Sequence, residues 1–164
     1  MLLNENMFTE QLLVSVTKVY RKKVSGLVAH AGLMLNFEQG EQLVLHTNPE
    51  RNTHLSTIEE FSDGERLVIK ECFSATQEVV ERIQSRLFTD LKYSVFNNCE
   101  HLVNEVLTGL PTSEQLKTSL TVSLVGTAVV ACKAANRNAT TLIIAALVFG
   151  GLGLYLEKQN QLSS

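Results

Sequence analysis

Residues 95–109 read VFNNCEHLVNEVLTG and hold both ends of one helix, with a cysteine at its start. Asn98 suits the N-cap, where a short side-chain oxygen accepts from first-turn amides. Leu102, Val103, Val106 and Leu107 fall on one apolar stripe, Gly109 fits the left-handed C-terminal position, and Pro111 prevents continuation. Cys99 is therefore the first helical residue. There the unpaired amides and the macrodipole favour a thiolate, and with a cationic partner they draw a cysteine pKa from about 8.5 into the range of roughly 3.5 to 7.5. The same amides offer an oxyanion hole. His101 is a poor base for this thiol, because residues two apart on a helix point about 200° away from each other. The residues alone leave two readings: a nucleophile whose base lies elsewhere, or a small apolar residue in a core.

Upstream of this helix the chain mixes both periods, which predicts an α+β domain over residues 1–116. The runs SGLVAHAGLMLNF (25–37) and EQLVLHT (41–47), separated by EQG, predict a β-hairpin. LLVSVTKVY (12–20) alternates like a strand, although with the residues before it an amphipathic helix also fits. ERLVIKECF (65–73), entered through the turn SDG (62–64), predicts another strand. A helix should follow, since Ser74 and Gln77 stand in capping-box relation and Val79, Val80, Ile83, Leu87 and Leu91 recur at helical spacing. Paired strands can set His30 and His46 side by side on one face, supplying a base and a group to orient it, while a histidine in an apolar strand is also an ordinary core residue. His54 reads as a solvated loop residue, and Glu100 and His101 as packing or supporting residues.

The C-terminal part is of another kind. No charge interrupts NATTLIIAALVFGGLGLYL (138–156), nineteen residues whose helical length matches the roughly 30 Å hydrocarbon layer of a bilayer. Tyr155, Glu157 and Lys158 look like its interfacial end. TSLTVSLVGTAVVAC (118–132) is also uncharged, but it is shorter and rich in Ser and Thr, so residues 117–164 predict a hydrophobic helical tail with one span at 138–156. Two core helices of a soluble protein are the competing reading. The N-terminus MLLNENMFTE has neither the basic start nor the apolar run of a secretory signal, which predicts a domain on the cytosolic side of the membrane. With 14 basic against 17 acidic residues and no basic run longer than RKK (21–23), nucleic acid is not an expected partner. Cys72, Cys99 and Cys132 lack zinc-site spacing or a disulfide framework, which predicts a reducing compartment and no metal or other cofactor.

Together, HAGLML, LVLHTNP and YSVFNNCEHLVNEVLTG resemble the lecithin:retinol acyltransferase-like family, with its two histidine-bearing strands and an Asn-Cys-Glu-His-Phe box opening a helix. Here the box is Asn98, Cys99, Glu100, His101 and Leu102. The resemblance covers roughly residues 12–110. It implies a circularly permuted papain-like domain, an antiparallel sheet packed on helices, that moves acyl groups from phospholipids through an acyl-thioester. It further implies Cys99 as nucleophile, His30 as general base and then acid, and His46 as the orienting group. The sequence departs from the family at Ala31, where an aromatic is common, at Leu102, and before His30, where SGLVA offers no polar oxyanion donor. The same permuted fold carries peptidases and isopeptidases, the first alternative function. A non-enzymatic membrane effector acting through its hydrophobic tail is the second.

Overall fold

The computed structural model describes residues 12–23, 28–89, 92–94, 98–133 and 138–163. The chain forms two units, one built from its first strand and residues 30–112, the other including residues 113–163.

The first unit is α+β. Its strands β1 (Leu13–Arg21), β2 (His30–Phe37), β3 (Gln42–Asn48), β4 (Asn52–Ser56) and β5 (Leu67–Ser74) form one antiparallel sheet in the order β4-β3-β2-β1-β5. The ambiguous N-terminal element is thus a strand, and the β2–β3 hairpin turns through Gly40, whose φ of 85° needs a residue without a side chain. The helices of this unit are α1 (Ile58–Ser62), α2 (Gln77–Phe88) and α3 (Cys99–Thr108).

Two local expectations change. The segment around His54 is β4, not loop: Asn48 Oδ1 accepts from the amides of Glu50 and Arg51, Asn52 takes a left-handed φ of 56°, and the Thr47 and Thr53 hydroxyls meet across the strands at 2.7 Å. The N-cap of α2 is Thr76, not Ser74, because β5 runs on to Ser74 opposite Ser15 before the helix can start. Leu91 of the predicted stripe lies outside the described residues, as does the N-terminal stretch through residue 11.

Alternation along β2 divides the sheet faces. Ala31, Leu33 and Leu35 face one way, with Leu45 and Val16, and all are fully buried. Asn104 of α3 accepts from Lys18 on this face, and Leu102, Val103 and Val106 of the same helix are also fully buried. Each such Leu removed from water contributes about 1.5 to 3 kcal/mol. The opposite face carries His30, Gly32 and Met34, and Phe61 of α1 packs there with Val19, Met34 and Val44. Gly32 permits this seat: a Cβ at that position would stand 2.7 Å from Val44 Cγ1 and 3.0 Å from the Phe61 ring.

The second unit contains two long helices, α4 (Glu114–Lys133) and α5 (Ala139–Leu162), packed antiparallel. Both are long and apolar enough to cross a membrane, whereas the sequence favoured one span. Their contact is made by small residues: Ser119 Oγ donates to Gly150 O and Ser123 Oγ to Ala146 O, both at 2.9 Å. Leu124, Val129, Ile143, Leu147 and Val148 point outward and are exposed.

Candidate active site

The two histidines of the hairpin come together. His30 Nε2 lies 3.1 Å from His46 Nδ1, with the rings nearly perpendicular. Both are buried, His30 at the first residue of β2 and His46 within β3. Phe61 closes the pair from above, stacking on His30 at 5.2 Å and meeting His46 edge-on at 5.1 Å between ring centres. On its other side His46 Nε2 lies 3.1 Å from Ser56 Oγ, and the His54 ring sits 4.1 Å from that of His46. His54 is therefore half-buried against the pair, contrary to its reading as a solvated loop residue.

Burial pushes the His46 pKa down to about 3, and positive charge on His54, Arg21 and Arg51 adds to the effect. With its pKa lowered this far, His46 is an uncharged imidazole at neutral pH, with one ring N–H to hold a neighbour and no readiness to take up a second proton. Among the described residues no group of three or more His, Cys, Asp or Glu side chains is arranged to bind a metal ion.

Cys99 is the first residue of α3 and is 5% exposed. Asn98 caps that helix as its sequence predicts, its Oδ1 accepting from Glu100 N at 3.0 Å and His101 N at 3.1 Å. Since those two amides are committed to the cap, an oxyanion hole at this helix rests on the Cys99 amide itself. The helix packs on β2 and β3, the strands that carry the histidines, but on the face opposite the histidine pair.

Antiparallel pairing sets the start of β2 beside the end of β3 and the start of β4. Asn52, at that end, accepts from the backbone amide of Tyr93 at 3.2 Å. The Tyr93 phenol is raised above its ordinary pKa, first by burial and then by the charge of Cys99. The described contacts thus join His30, His46, Ser56 and Phe61, and Cys99 opens a helix that packs on the same two strands.

Glu100 and His101 are both buried, as packing residues would be. The His101 pKa is lowered, by burial first and then by Arg86, while Glu105 opposes the shift. Arg86 of α2 pairs with Glu105 of α3, tying the two helices together. Ser56 and Phe61 were missed by sequence reasoning: the β3–β4 register, with His46 opposite His54 and Val44 opposite Ser56, reveals the place of Ser56, and the ring contacts of α1 that of Phe61.

Comparison with family models, curated proteins and solved structures yields no match to this chain.

Proposed function

We propose that this protein is a membrane-associated, cysteine-dependent acyltransferase or phospholipase of a permuted papain-like type, with its catalytic domain on the cytosolic side. The observation that carries the reading is the 3.1 Å contact between His30 and His46, a base and its orienting group on the adjacent strands β2 and β3, on which the helix opened by Cys99 also packs. The neutral state of His46 suits an orienter. In the reaction His30 takes the Cys99 proton and the thiolate attacks an ester carbonyl of a phospholipid. The imidazolium then protonates the departing lysophospholipid oxygen, leaving an acyl-thioester. Water or an amine, deprotonated by His30, attacks that thioester and frees the thiol.

The apolar pair α4 and α5 supports location at a bilayer, which raises the local concentration of a substrate that never leaves it. Two crossings, rather than one, fit the antiparallel packing of the helices, with their polar groups turned onto each other. The exposed Cys72 of the first unit, outside any disulfide, supports the cytosolic placement of that domain.

The test is intact-mass analysis of the full chain after incubation with mixed phospholipid vesicles. A fatty-acyl increment should form in the wild type and be absent in Cys99→Ala. Turnover should fall comparably in His30→Ala and less in His46→Ala, because nucleophile and base act as a unit. Lipid turnover that persists in Cys99→Ala would refute the mechanism. Absence of both increment and turnover in the folded wild type would favour an isopeptidase or a membrane effector.

A further inference from the structure

His46 has two ring nitrogens and, being neutral, a single N–H. Its Nδ1 faces His30 Nε2 and its Nε2 faces Ser56 Oγ, each at 3.1 Å. The proton can therefore point toward His30 or toward Ser56, and the two choices have opposite chemical consequences. If His46 carries it on Nδ1 and donates to His30 Nε2, the neutral His30 must hold its own proton on Nδ1, and the nitrogen available for proton exchange is already occupied. If His46 carries it on Nε2 and donates to Ser56, its Nδ1 accepts from His30 Nε2–H. His30 Nδ1 is then a base, and the same hydrogen bonds persist when His30 becomes an imidazolium.

We infer that Ser56 is a positioning residue of this site: its hydroxyl takes the acceptor role toward His46 Nε2–H rather than donating to Nε2, and so favours the His46 tautomer that leaves His30 able to act as a base. This deepens the thiol-enzyme reading and rests on it. Ser56 is well placed to hold one geometry. It is 4% exposed, it is paired with Val44 at the end of β4, and the next residue, Thr57, caps α1 by accepting from Glu60 N at 3.1 Å. The helix so started presents Phe61 to both imidazole rings. A single short segment, from Ser56 to Phe61, thus supplies both the hydrogen-bond acceptor behind His46 and the apolar cover over the pair.

The tautomer is read directly by long-range proton–nitrogen correlation of the histidine rings in the full chain, nitrogen-labelled and held in detergent micelles. The wild type should show His46 protonated on Nε2 at neutral pH. Ser56→Ala should give a mixture of tautomers and Ser56→Thr, which keeps the hydroxyl, should restore the wild-type pattern. A wild-type His46 protonated on Nδ1 would overturn the inference, as would an unchanged tautomer in folded Ser56→Ala. The same spectra test the underlying reading separately. A Cys99 thiolate beside His30 should raise the His30 midpoint, so Cys99→Ala should lower it by about one pKa unit or more. An unchanged His30 midpoint would remove the cysteine–histidine pair, whatever the result at Ser56. A lowered midpoint with an unmoved His46 tautomer would remove only the role of Ser56.

Discussion

At the scale of single residues, burial of His46 is a problem solved by neutrality. His46 titrates near 6.5 in an unfolded chain and near 3 in the fold, so between those values the unfolded chain binds the extra proton. Stability contributed by the uncharged ring is fully present above pH 6.5 and declines as the pH falls toward 3, by at most about 1.4 kcal/mol per pH unit. Thermal midpoints taken at about pH 7.5 and about pH 5 should therefore drop further in the wild type than in His46→Asn. An equal drop in both would show that His46 does not carry this dependence. Cys99, Asn98 and Gly109 were legible in the sequence because capping chemistry is local: the acceptor, the first-turn amides and the left-handed residue all lie within one short segment. Ser56 was not, because its meaning depends on which residue a neighbouring strand sets against it.

Among the elements, those with strong apolar patterns were readable: β2, β3, β5 and α3 all fall where alternation or a helical stripe places them. The five-residue elements β4 and α1 were not, since NTHLS offers one aliphatic residue and α1 buries only Phe61. Their stability comes from tertiary contact rather than from periodicity. The pair α4 and α5 shows the reverse case, in which apolarity was evident but the partner was not. Gly153 brings these helices close, and a Cβ there would stand 2.8 Å from Ser119 Cα and 2.9 Å from Thr118 O. Cysteines placed at Ser123 and Ala146 should form a disulfide crosslink in the otherwise native hairpin and fail to do so with Gly153→Val, although valine is the more apolar residue. Undiminished crosslinking in that variant would mean that the glycine contact does not set the packing.

For the whole molecule, the native cysteines can test whether the chain crosses a membrane. Cys72 is exposed on β5, and Cys132 is exposed near the end of α4. If α4 and α5 both cross, a membrane-impermeant maleimide applied to one side of sealed vesicles should label only one of these thiols, and permeabilisation should admit the other. Labelling of both from the same side would exclude the two-span arrangement. The order of strands carries one more consequence. β1 to β4 pair with their neighbours in sequence, while β5 returns to β1 and Cys99 follows later still. Pairings between chain neighbours close fastest, so the strands bearing the histidines can zip together before the helix bearing the thiol docks. On the proposed thiol-enzyme reading, assembly in that sequence would keep the sulfur unarmed until its helix docks.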